Sequence, residues 1–247
     1  MMNGIRPAGA VLALLSATAL PWALGCSRMQ VGTTFGPAPG GSSSVVRYTN
    51  AEIDYFLEVA LGVEFAHGAR PRVIKRWPTG ELPAIRLEIM GSPTSQDLAV
   101  IRSVVDELNA IAGLPLLVID SDHPNVPVRF VPRNSMRSYS SLVPRWGAGG
   151  FVSTELNKDF TIERGQVLIA SDIPFRARKP IIREEMTQLL GLLNDSSWYP
   201  ESIFNDANFS TEFAPIDRAL IEMLYRPEMR AGLDEGDTRK VLRKALR

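Results

Sequence analysis

The chain predicts an α+β domain built on a mixed sheet, and three features of its 247 residues carry that expectation. Short segments alternate apolar and polar side chains with the two-residue period of a half-buried strand, as in Ile85, Leu87 and Ile89 against Arg86 and Glu88. One long stretch of helical period lies between such segments. Beyond Ala170 the pattern is helical only, so helices gather at the C-terminal end.

Taken in order, Asn50 can cap a helix from Ala51 to about Gly62, in which Ile53, Phe56, Leu57 and Ala60 recur at helical spacing. Val73 to Arg76 and Ala84 to Met90 read as strands. A long amphipathic helix from about Ser95 to Ala112 follows, capped by Thr94 or Ser95 and stopped by Gly113. Leu116 to Ile119, Val126 to Val131, Phe151 to Glu155 and Gln166 to Ala170 read as further strands, the last two separated by a polar turn around Asn157 to Arg164. A helix is expected from Pro180, suited to a first turn, to about Leu190, then a turn through Gly191 to Ser197. Ile216 to Leu224 and Thr238 to Leu246 close the chain as two helices.

The start of the chain reads as an address. Residues 1 to 25 hold Arg6, the apolar run AGAVLALLSATALPWAL and the small-residue site Ala23-Leu24-Gly25 before Cys26. This is the pattern of a bacterial secretory signal, too short in its apolar run to span a bilayer. Cys26 is the sole cysteine, so internal disulfides and multi-cysteine metal sites are excluded. It resembles the lipobox cysteine of bacterial lipoproteins, although Leu24 stands two residues before it where that pattern more often has leucine three before. The expectation is a lipid on Cys26, with 1–25 as signal peptide. The Gly, Pro, Ser and Thr of Val31 to Val45 make 26–45 a flexible tether. A single domain then covers 46–247.

Composition narrows the partners. With 27 basic and 27 acidic residues there is no charge excess to draw the chain onto nucleic acid. Apolar content of 45% and charged content of 22% are those of an ordinary globular protein, so membrane attachment falls to the lipid. The C-terminal TRKVLRKALR reads as a solvated basic helix end.

The most informative stretch is EEMTQLLGLLND, Glu184 to Asp195. Its spacing is that of the extended zinc-protease motif H-E-x-x-H-x-x-G-x-x-H-D, with Glu184, Gln188 and Asn194 at the three histidine positions. Glu185 falls on the general-base position, Gly191 at the turn and Asp195 after it. An ordinary surface helix with Ile182, Met186, Leu189 and Leu190 on one side, capped by Gly191, would look much the same. Downstream, YPESIFND at Tyr199 to Asp206 looks like the Met-turn under the zinc of the metzincins, with Phe204 in place of the methionine. FAPIDRALIEMLY at Phe213 to Tyr225 is similar to the closing helix of the matrix-metalloprotease branch.

With REEMTQLLGLLNDS, YPESIF and PIDRALIEMLY together, the chain resembles a bacterial family with a domain of unknown function, many of whose members look like lipoproteins, over roughly Ala51 to Leu233. That resemblance implies a zincin- or metzincin-like fold and an envelope address, and no reaction.

Zinc is not expected. The only histidines, His67 and His123, sit in turn-rich polar contexts, and a three-histidine site cannot be built from two. Glu184, Gln188 and Asn194 offer oxygens, which suit a loosely held hard cation such as calcium or magnesium. No G-x-S-x-G elbow occurs, and the glycines of Gly147 to Gly150 read as a loop, with a cleft lining as the alternative. Two functional readings lead, with a purely structural envelope protein lacking any cleft function left open as a third. One is a membrane-anchored lipoprotein facing the periplasm, a pseudoenzyme in which the zincin cleft serves binding or assembly with an envelope protein, peptide or glycan. The other is a peptidase-like hydrolase with Glu185 as general base and a non-standard or absent metal.

Overall fold

Helix α1 (Asn50–Leu61) begins at Thr49, one residue ahead of the expected cap, because Thr49 and Glu52 form a reciprocal capping box. The computed structural model describes residues 48–62, 71–80, 85–119, 122–145, 147–205, 207 and 209–244, so Cys26, the tether and His67, singled out above, lie outside the described residues. Residues 44–247 form one compact unit. Five strands follow α1 in chain order: β1 (Ile85–Gly91), β2 (Leu117–Ile119), β3 (Val126–Val131), β4 (Gly150–Leu156) and β5 (Ile162–Ala170). They make one sheet in the order β2-β1-β3-β5-β4. The first three pairings are parallel and β4 is antiparallel to β5, so the α+β class and the mixed sheet are as expected.

Helix α2 (Ser95–Asn109) connects β1 to β2, and α3 (Phe175–Gln188) follows β5; the two helices pack together, with α3 also against β4 and β5. Helices α4 (Pro215–Leu224) and α5 (Glu235–Lys244) both pack on α1. The main core lies between sheet and helices. It alternates along β5 as strand geometry requires, taking Val167 and Ile169, while Leu168 and Ala170 face a smaller cluster on the reverse side with Val131, Met136, Val143 and Phe151. Met136 belongs to a 3-10 helix, Arg133–Ser138, that the sequence patterns did not indicate. The segment after β3 thus covers the back of the sheet and explains why β5 ends as a continuous apolar run.

Three expected elements are corrected. Val73 to Arg76 is not a sheet strand: it makes isolated bridges, Val73 to Asp234 and Arg76 to Thr161. Its backbone is used by a loop on one side and the first residue of β5 on the other, through Ile74 N–H to the Leu233 carbonyl at 2.9 Å and Ile162 N–H to the Arg76 carbonyl at 2.9 Å. Pro180 is the sixth residue of α3, not part of its first turn, because Pro174 already caps the helix and Phe175 begins it. Strand β5 begins at Ile162, ahead of Gln166, because Asn157 Oδ1 accepts both Asp159 N–H and Thr161 N–H and so tightens the turn.

Candidate functional site

The C-terminal end of α3 is held by groups far away in sequence. Trp77 donates its indole N–H to the Leu189 carbonyl at 2.8 Å, and the Tyr225 hydroxyl donates to the Leu190 carbonyl at 2.8 Å. Two carbonyls that the helix end leaves open are thereby satisfied inside the core. Gly191 then turns the chain with φ +115°, and a Cβ there would fall 2.1 Å from the Lys75 carbonyl oxygen. Glycine is required at this turn on both counts.

Along the helix, Glu184 and Gln188 are four residues apart and share a face. Gln188, only 2% exposed, donates through Nε2 to Asp195 Oδ1 at 2.7 Å. Asn194 donates through Nδ2 to the Asp195 carbonyl at 2.7 Å and packs against Gly62 at the end of α1, while its backbone N–H reaches the Val59 carbonyl. The group that meets Gln188 across the turn is therefore Asp195. Glu184 is half-buried. Glu185 is buried beneath the start of β4: a Cβ on Gly150 would lie 2.3 Å from its Oε1, and one on Gly149 would lie 2.6 Å from Ile181. These glycines, expected in a loop, let the edge strand lie directly on α3.

Below the turn runs residues 196–205. Ser196 N–H donates to the Phe204 carbonyl at 2.8 Å, and Phe204 is fully buried. Tyr55 of α1 donates its hydroxyl to Ser202 Oγ at 2.7 Å, and Ser202 donates onward to Asp217 Oδ1 at 2.6 Å. Burial drives the Tyr55 phenol well above its usual range and raises the Asp217 carboxyl. This relay ties α1, the 196–205 segment and α4 together. Sequence reading found both segments by resemblance but missed the relay, because no local pattern announces that Tyr55 meets a serine 147 positions later.

A second buried tie joins the neighbouring helices. Arg178 meets Asp97 at 3.0 Å, and Arg183 meets Glu107 with both forks at 2.8 Å. Thr94 stood out in the sequence as a cap; Asp97, which completes the box, and its arginine partner did not.

Glu184, Gln188 and Asn194 supply one carboxylate and two carboxamides, whose N–H groups on Gln188 and Asn194 already serve Asp195. No imidazole or thiolate is among them, so these residues do not fit zinc. His123 is exposed. Among the described residues no three His, Cys, Asp or Glu side chains converge as a metal-binding group, and no helix is long and apolar enough to cross a membrane.

No curated protein matches the chain. A family model described as a protein of unknown function, DUF2927, matches residues 50–244, which take in α1 through α5 with the motif helix and the relay. The chain belongs to the DUF2927 family.

Proposed function

We propose that this protein is a periplasm-facing lipoprotein, anchored through Cys26, whose domain is a metzincin-like relic that binds a peptide, glycan or protein of the envelope without hydrolysing it. The observation that carries the reading is the Gln188–Asp195 hydrogen bond at 2.7 Å. In a zinc protease the residue at that position is a metal ligand, and here its side chain is spent on the acidic residue that follows the motif. Further support comes from the helix, the positive-φ Gly191 turn and the buried Phe204, which follow one another in the order the resemblance calls for. Glu185, on the general-base position, lies packed under Gly150, an arrangement that favours a static partner face over activation of water.

The test takes wild-type and Cys26→Ser chains through fractionation, then purifies the wild type in neutral detergent for metal analysis and peptide-hydrolysis assays. The expected result is membrane retention that depends on Cys26, no stoichiometric zinc, no hydrolysis and a melting temperature unmoved by chelator. Stoichiometric zinc with hydrolysis abolished by Glu185→Gln would overturn the binding reading in favour of a hydrolase. Unchanged processing and retention of Cys26→Ser would overturn the anchor.

A further inference from the structure

A cleft of about 490 Å³ opens away from the motif helix's ligand positions, where the segment after β3 and the turn after β5 meet. Its walls carry Arg133, Arg137 and Arg145 against one carboxylate, Asp172. None of the three arginines takes part in an ion pair among the described residues. Asp172 is partly occupied, since its Oδ1 accepts the backbone N–H of Arg133 at 3.0 Å.

One guanidinium group and one arginine stem are held in place. Arg137 donates through NH1 to the Val143 carbonyl. The stem of Arg133 lies across Gly147, where a Cβ would come within 2.8 Å of its Cγ and Cδ, and Gly147 has φ +84° in a turn closed by its N–H to the Pro144 carbonyl. A side chain at 147 would displace the Arg133 stem, and glycine takes the positive φ there without strain. The cleft also lies outside the carboxyl ends of the parallel neighbours β3 and β5, the usual place for a ligand in a parallel sheet.

We propose that this cleft binds a phosphoryl group. Three guanidinium charges less one carboxylate leave an excess of two, which matches the roughly −1.5 to −2 charge of a phosphate monoester near neutral pH better than the single charge of a carboxylate. Guanidinium forks also pair with phosphate oxygens two at a time. Another cationic cleft, lined by Lys179, Arg183 and Arg218, does not compete, because Glu107 already takes both forks of Arg183 and stands 3.9 Å from Arg218.

The phosphoryl group can come from a soluble monoester or a lipid monoester headgroup, and calorimetry on the full chain in neutral detergent separates them by titrating inorganic phosphate and a water-soluble short-chain phosphatidic acid. Saturable binding of phosphate alone assigns a soluble ligand; at least ten-fold tighter binding of the phosphatidic acid assigns a headgroup. In either case the Arg133→Gln/Arg145→Gln double variant weakens binding at least ten-fold. Asp172→Asn strengthens it several-fold, a gain that misfolding does not produce. The absence of saturable binding to both probes overturns the proposal, as does equal affinity in the wild type, the double variant and Asp172→Asn.

Discussion

Asp97 and Asp217 occupy the same place in two helices. Each is the third residue of its helix, each is fully buried, and each accepts the N-cap backbone N–H at 2.8 Å, from Thr94 in α2 and from Ala214 in α4. Their carboxyls nevertheless shift in opposite directions. Burial acts to raise Asp97, but the Arg178 guanidinium and the two Thr94 hydrogen bonds outweigh it and hold the group below the ordinary aspartate range. At Asp217 burial is again the largest influence, and bonds from Ser202 and the Ala214 and Ile203 N–H groups only partly offset it, so the carboxyl is raised. The same helix-start grammar gives an ion pair at α2 and a hydrogen-bonded relay without a cation at α4.

The largest effect is expected where a charge would be stranded. Arg178→Met leaves Asp97 buried without its cation and should cost about 3–5 kcal/mol in chemical denaturation. Because the depressed pKa makes the ion pair's contribution present above the unfolded value and lost as pH falls through the folded one, the variant's deficit should narrow on acidification below about pH 4. A deficit that stays constant with pH would remove the electrostatic half of the comparison.

Asp217→Asn comes next. It turns an N–H group toward backbone donors at Ile203 and Ala214 and should cost about 2 kcal/mol near neutral pH. The pH response runs the other way from Asp97: a raised folded pKa favours the native state below the unfolded value, and that contribution is lost as pH rises through the folded pKa. Without the carboxyl, stability should fall more steeply on acidification than in the wild type. An identical acid limb would show that Asp217 is not the raised group.

Tyr55→Phe is the mildest change. It removes one neutral donor to Ser202 and should cost about 1 kcal/mol, with no change in pH dependence below about pH 9, as read from urea midpoints across pH. A loss as large as that of Asp217→Asn would make Tyr55 the keystone of the relay.

The long amphipathic helix and most strands were legible because their signals are local: Thr94 as a cap, Gly113 after α2, the alternation of Ile85, Leu87 and Ile89. Val73 to Arg76 read as a strand because extended apolar segments look alike whether sheet or loop completes their hydrogen bonds. The 3-10 helix at Arg133 was illegible, since six residues that cover a sheet through one buried methionine have no period to detect. At the motif, spacing fixed Glu184, Gln188, Gly191 and Asn194 in order, but not that Gln188 would choose Asp195 or that Gly150 would cover Glu185.

By itself, then, the sequence determined where the long amphipathic helix begins, where Gly191 turns the chain and which residue types stand at 184, 188 and 194, because capping, φ preference and donor chemistry belong to single residues and their near neighbours. Only the tertiary structure decided which charges meet. Asp97 finds Arg178 across 81 positions and Asp217 finds Ser202 across 15, and the free energy of a buried carboxylate depends on that partner and on the water excluded around it.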